Sequence, residues 1–299
     1  MAYVERRFPA MGSVAHCLVT EGTVRDVDRA EERLAEVGSK WSRFLPTSEV
    51  STYNDSGQPW RSLDLSADTQ RLLRRAEEGV EITEGRFDPW ILPTMHAIGY
   101  SESRSSHEGP TEFNRSELGS SGTGISDSAV AGGFDPGGLG KGLAADIVVE
   151  ELMAAGVKGA LINVGGDLRA AGESPDGDGW RIDIEDPLTG LCNASIELAQ
   201  GAVATSTPLK RRWRSSDREC HHLVDPELNQ SSSSPVEAVT VVASQAWQAE
   251  VLCKLLYLDG GISDIPLRLI ERLGCAARVC TPGLVSTSST WSRFARFSH

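Results

Sequence analysis

Residues 135–167 read DPGGLGKGLAADIVVEELMAAGVKGALINVGGD. Leu143, Ile147, Leu152 and Ala155 recur at helical spacing and Gly156 follows them, which predicts a helix ending at that glycine. ALINV is short, apolar and bounded by glycines, so a buried strand comes next. Downstream, Trp180, Ile182 and Ile184 alternate in a strand turned by Asp186-Pro187. Another strand is expected from roughly Ile196 to Ala204, and VEAVTVVA gives one more before a helix in QAWQAEVLCKLLYLDG. Upstream, Val24, Val27, Ala30, Leu34 and Val37 predict an amphipathic helix. A second helix starts after Ser66 as N-cap and turns Leu72, Leu73, Ala76 and Val80 inward. A strand around Val14, Cys17 and Val19 follows a turn at Met11-Gly12-Ser13. Helices mixed with alternating strands, without an internal repeat, argue for an α+β or mixed α/β fold.

Two stretches break this pattern. Residues 101–133 shift to Ser, Gly and Glu with few large apolar side chains, and read as a long mobile loop. The serine run Ser231 to Ser234 reads as a flexible tip.

The chain has 299 residues, with 42 Asp and Glu against 29 Lys and Arg, for a formal charge of −13. No long-range basic field exists to attract a polyanion, so nucleic acid is excluded as the expected partner. An anionic ligand must then be held locally by backbone N–H groups, a few placed cations or a metal. No apolar run reaches the ~18 residues of a membrane span, and MAYVERRFPAMG lacks the apolar core of a secretory signal. A cytoplasmic protein with six reduced cysteines is the expectation.

Four stretches place polar groups or glycines beside predicted elements. Asp135 through Gly142 opens a helix, where small residues let backbone N–H groups approach a phosphate or simply start the helix. It is not a nucleotide P-loop, because Lys141 is followed by Gly142 rather than Ser or Thr. Asn163 through Asp167 lies at a strand end, as a ligand loop or as a tight turn capped by Asp167. Ala204-Thr205-Ser206 is followed by His221-His222-Leu223-Val224-Asp225-Pro226, where a histidine oriented by a carboxylate is a candidate general base. Glu250 and Lys254 stand four apart on one helix face, which by itself reads as an exposed ion pair. Phe87, in Gly85-Arg86-Phe87-Asp88-Pro89, reads first as core packing.

Met11-Gly-Ser13, Trp41 through Glu49 with Asn54, Gly85 through Pro89, Asp135 through Asp146, Asn163 through Asp167, Trp180 through Pro187, Ala204 through Ser206 and His222 through Pro226 occur in order. Together they resemble the ApbE family, the FAD:protein FMN transferases, nearly end to end. The resemblance implies one α+β domain over 1–299, T-fold-like, with mixed sheets, packed helices and FAD in a cleft between two subdomains. It also implies the reaction: FMN moves from FAD to a Thr or Ser hydroxyl of an acceptor protein, and AMP is released. By carry-over, Met11 and Phe87 would pack on the flavin or adenine rings. Arg86, Asp88, Asp135 and Lys141 would hold polar parts of the dinucleotide. Gly165, Gly166, Asp167, Thr205 and Ser206 would line the pyrophosphate cleft, with His222 as base and Asp225 as its orienter.

The family also implies Mg2+, held by a late Ala-Asp-x-x-x-Thr helix and a loop carbonyl. The corresponding stretch here is Ala249-Glu250-Val251-Leu252-Cys253-Lys254, so the resemblance leaves Glu250 and the Gly138 carbonyl as ligands and puts Lys254 where the Thr belongs. A protonated lysine has no lone pair to offer a metal. Two further departures are Leu228-Asn229 after Asp225-Pro226, and Thr207-Pro208 after Ser206. They keep open a flavin-binding or repurposed protein, or FAD pyrophosphate hydrolysis with water as the acceptor.

Overall fold

The computed structural model describes residues 1–102, 112–113, 132–215, 218–261 and 263–296. Most of the stretch expected as a mobile loop, 103–111 and 114–131, lies outside the described residues. In chain order the principal elements are β1 (Tyr3–Ala10), β2 (Ser13–Thr20), α1 (Val24–Trp41), α2 (Glu49–Ser56), α3 (Ala67–Ile82) and α4 (Leu92–Ala97). After the gap come α5 (Gly140–Ala154), β3 (Gly159–Val164), β4 (Asp167–Gly172), β5 (Trp180–Glu185), β6 (Cys192–Leu198) and β7 (Gly201–Ser206). The chain continues through β8 (Arg212–Ser215), β9 (Arg218–His221), β10 (Ala238–Ala243), α6 (Ala246–Leu258), α7 (Asp264–Arg272), β11 (Ala276–Thr281) and β12 (Leu284–Thr287).

Eight strands form one sheet in the order β1-β2-β3-β4-β7-β10-β11-β12, every neighbour antiparallel. Antiparallel pairing with helices gathered against the sheet makes this an α+β fold. The period-2 alternation decides the layers. Ala160, Ile162 and Val164 of β3 join Ala15, Cys17 and Val19 of β2 in the core under α1, α3, α5 and α6. Leu161, between them in sequence, faces the other side and packs with Leu168, Trp180, Ile184 and Ile196, the last three from the β5–β6 hairpin. The predicted 196–204 strand is two strands in two sheets, because Gly201 at φ 151° redirects the chain between β6 and β7.

Two turns have both central residues at positive φ, the geometry that suits a two-residue hairpin. Met11 (φ 50°) and Gly12 (φ 67°) join β1 to β2, and Gly165 (φ 63°) and Gly166 (φ 104°) join β3 to β4. A Cβ at Gly165 would also strike the Ser13 hydroxyl at 2.4 Å, so the two turns pack together. The Asn163–Asp167 stretch is therefore a tight turn. Its cap is the Asn163 side chain, which accepts from Gly166 N at 2.9 Å.

The helices α5 and α6 are apolar on almost every side, as buried helices must be. Each leaves N-terminal amides unpaired by its own backbone, and each is capped by a carboxylate of the other. Asp146 of α5 accepts from Ala246 N (2.8 Å) and Trp247 N (3.0 Å) at the start of α6. Glu250 of α6 accepts from Gly142 N (2.9 Å) in the first turn of α5. This exchange needs close backbones: a Cβ at Gly142 would lie 2.5 Å from the Ala246 carbonyl oxygen and 2.7 Å from Trp247 N. The glycine there serves helix contact. Gly142→Ala is accordingly expected to lower the unfolding free energy by about 1–3 kcal/mol in urea melts, the usual range for overpacking. An unchanged midpoint would mean that the helices are not held at this distance.

Candidate active site

A cleft of about 780 Å3 opens on the helical side of the sheet, within the range of small-molecule sites. Its walls come from the β1–β2 turn, α1 and its exit, the segment after α3, the 135–141 loop, and residues 211 and 222–224. The lining is apolar at Met11, Leu34, Trp41, Phe44, Phe87 and Met95. Phe87 serves both readings: it belongs to the core, and its ring holds Gly138 to a glycine, because a Cβ there would meet it at 2.7 Å. Asp88 lines the cleft with its carboxylate on Trp90 N (2.8 Å), and burial raises its pKa. Asp135 accepts from Gly137 N (2.7 Å) and pairs with Arg43 (2.8 Å), whose guanidinium lies 4.2 Å from the Phe44 ring centroid and 4.9 Å from that of Tyr100.

At the polar end stand Lys141, Lys254, Arg211 and His222. Glu250 is 0% exposed, which overturns its reading as half of an exposed pair. Its Oε1 accepts from Lys141 Nζ (3.0 Å) and Lys254 Nζ (3.3 Å), while Oε2 holds Gly142 N. Asp167, on β4, is buried against the Lys141 ammonium. Burial works against all these charges, yet Asp167 and Glu250 outweigh it and raise the Lys141 pKa. Burial likewise pushes Glu250 up, and the two lysines bring it below the ordinary carboxylate value. Asp167 is raised, by burial first and then by the nearby Glu250. Both ammoniums line the cleft, and the two carboxylates lie beneath them.

Arg86 also lines the cleft, whereas Asp225, Thr205, Ser206, Gly165 and Gly166 stand elsewhere. The Asp225 carboxylate is occupied by the fork of Arg86 (3.1 and 3.0 Å), and Arg86 also donates to the Leu258 carbonyl at the end of α6 (2.9 Å). Asp225 further caps the amides of Glu227 and Leu228. It therefore ties α6 to the loop instead of orienting His222, whose Nδ1 is buried with no hydrogen-bond partner among the described residues. Thr205 and Ser206 do not line the cleft. They lie in β7, where the Thr205 hydroxyl meets Thr240 across the ladder (2.9 Å) on the face away from the helices. Gly165 and Gly166 form the tight turn already described. His221 is the structural histidine of the pair: its Nε2 meets the Ser232 carbonyl (2.9 Å), and Ser231 donates to its carbonyl (2.8 Å). The serine run is thus tied down, contrary to the expected tip.

The sequence profile of the ApbE family matches residues 11–278. The chain belongs to the ApbE family. Among its relatives are proteins named FAD:protein FMN transferase from Haemophilus influenzae and Vibrio cholerae. The first is 23% identical, over 85% of this chain and 78% of its own length. The second is 26% identical, over 79% and 72%. The crystal structure of the ApbE protein from Thermotoga maritima superposes with a TM-score of 0.83 at 22% identity, covering 99% of this chain and all of that one. The flavin transferase ApbE from Vibrio cholerae does so with a TM-score of 0.77, covering 98% and 99%. Among the described residues no helix is long and apolar enough to cross a membrane.

The ApbE resemblance implies Mg2+ on Glu250 and the Gly138 carbonyl, and the donor set does not fit it. Both Glu250 oxygens already accept N–H groups, and two of those donors are ammoniums. A divalent cation there would face two like charges across a few ångströms. Nor do three His, Cys, Asp or Glu side chains stand in a ligand grouping among the described residues. Sequence reasoning missed Arg211, which lines the cleft without a carboxylate partner among the described residues, and named Asp146 only as the end of a family motif, without its role in setting the helix crossing. No local signal distinguishes either from a surface charge.

Burial first, and then Arg211, Lys254, His221 and Lys141, hold the His222 imidazole well below its ordinary 6.5. The unfolded chain protonates this ring below about pH 6.5 and the folded chain does not, so its contribution to stability is lost as pH falls through that value. Asp146, pushed up to about 6 by burial, acts with the opposite sign. The comparison with His222→Asn isolates the histidine: from about pH 7 to 5.5 the urea midpoint of the wild type should drop more steeply than that of the variant. Parallel profiles would show that the ring is not buried in its neutral form.

Proposed function

We propose that this protein transfers FMN from FAD to a Thr or Ser hydroxyl of an acceptor protein and releases AMP. The observation that carries the reading is the cleft itself: apolar walls at one end, and at the other a layer of Lys141, Lys254 and Arg211 beside a neutral His222. Such a surface suits a ligand that joins an aromatic ring system to an anionic group, as FAD does. Family membership and the names of the relatives support the same assignment.

In this reading Met11 and Phe87 border the ring systems, and Asp88 and Asp135 face their polar edges. The acceptor oxygen forms a bond to the phosphorus of the FMN half, and the bond from that phosphorus to the bridging oxygen breaks. The bridging oxygen leaves on AMP. His222 takes the hydroxyl proton, and its depressed pKa keeps it in the accepting form at neutral pH. Lys141, Lys254 and Arg211 offset the charge that collects on the phosphoryl oxygens, while the apolar walls position the dinucleotide.

The test incubates the protein with FAD and an acceptor protein carrying the family's acceptor signature, then reads flavin fluorescence on a denaturing gel and AMP by chromatography. A fluorescent acceptor band with matching AMP is expected. His222→Ala should abolish the band and leave FAD affinity within a few fold. AMP without a band would assign hydrolysis instead, and FAD bound but intact would assign a binding protein.

A further inference from the structure

Four of the charges at the polar end are stacked by sign. Lys141 and Lys254, about 15% and 14% exposed, belong to the cleft lining, whereas Glu250 (0%) and Asp167 (3%) are sealed beneath them. Two carboxylates and two ammoniums cancel, and Arg211 then leaves the face with an excess of one positive charge. Glu250 cannot turn toward a ligand, because its second oxygen caps α5 through Gly142 N and its first receives both lysines. Lys254 is fixed in turn by its i, i+4 position on α6, one helical turn from the carboxylate that seats it.

From this layering we propose that the Lys254 ammonium, seated on Glu250, supplies the positive charge that neutralises the dinucleotide's pyrophosphate, and that the site works without a divalent cation. This rests on the FAD reading given above. An ammonium needs only a carboxylate beneath it and an open face in front for water or phosphate oxygens, and Lys254 has Glu250 below and the cleft before it. Mg2+ demands several oxygen donors in octahedral array, and both carboxylates here are taken, Glu250 by three N–H partners and Asp167 by the Lys141 ammonium. Replacing a metal by a lysine also removes the need to recruit an ion with each FAD.

The experiment titrates FAD into the full chain by fluorescence quenching, in excess EDTA and in excess MgCl2, and separately titrates Mg2+ and Mn2+ alone into the unliganded protein by calorimetry and electron paramagnetic resonance. Equal FAD affinity in the two buffers and no site for either metal are expected. Lys254→Met should weaken FAD by about tenfold or more in EDTA, the scale of one lost charge-assisted hydrogen bond, and Lys254→Arg should restore most of it. Thermal melts of both variants confirm that they fold. A wild type that loses FAD in EDTA and regains it with Mg2+, a stoichiometric metal site in the unliganded chain, or a Lys254→Met protein that binds FAD undiminished would each overturn the proposal. Absence of FAD binding in both buffers would overturn the flavin reading itself, while the metal titrations still report on the donor set.

Discussion

The exchange of carboxylate caps between α5 and α6 governs the rest of the molecule. A buried helix start holds N–H groups that need partners, and each of these helices finds its partner in an acidic side chain of the other: Asp146 on Ala246 and Trp247, Glu250 on Gly142. Negative charge at a helix N-terminus is favoured by the helix dipole, so both carboxylates are stabilised by the backbone they cap. The contact is possible only because residue 142 has no side chain. Lys141 precedes that glycine, and Lys254 follows Glu250 by one turn, so one crossing places both cations.

This arrangement explains how a chain of net charge −13 presents a positive surface to a ligand. The charge balance of the whole protein sets its long-range field, but a cleft responds to what lies within a few ångströms. Here the acidic groups nearest the polar end are covered by the lysines they hold, and Asp225 and Asp135 are neutralised by Arg86 and Arg43. His222, half-buried in the cleft wall among several cations, is held below its ordinary pKa for the same local reason.

Much of the fold was legible in the sequence. The spacing of Val27, Ala30, Leu34 and Val37 gave α1, the capping serine gave α3, and the alternation around Trp180 gave β5, because periods of 3.6 and 2 are properties of the local chain. The edge strand β1 and strand β11 were not read, and β6 and β7 were merged, since no local period reveals that Gly201 moves the chain into another sheet. The glycine-rich 135–142 loop, Phe87 and His222 were named from composition and family pattern, and Phe87, His222 and most of the loop line the cleft. Thr205 was misplaced for a reason of parity: its neighbour Ala204 packs in the core with α6, and Thr205 points the other way, onto Thr240.

The sequence by itself determined α1, α3, α5 and α6, the strands β2, β3, β5 and β10, the family and the i, i+4 relation of Glu250 to Lys254. Tertiary structure alone decided that Glu250 is buried, that it holds Gly142 across 108 residues of chain, and that Asp225 belongs to Arg86, 139 residues away, and not to the nearby His222. The physical reason is that helices and strands form from neighbours along the chain. A carboxylate takes whichever donor the packed layers bring within about 3 Å, and no local pattern encodes that distance.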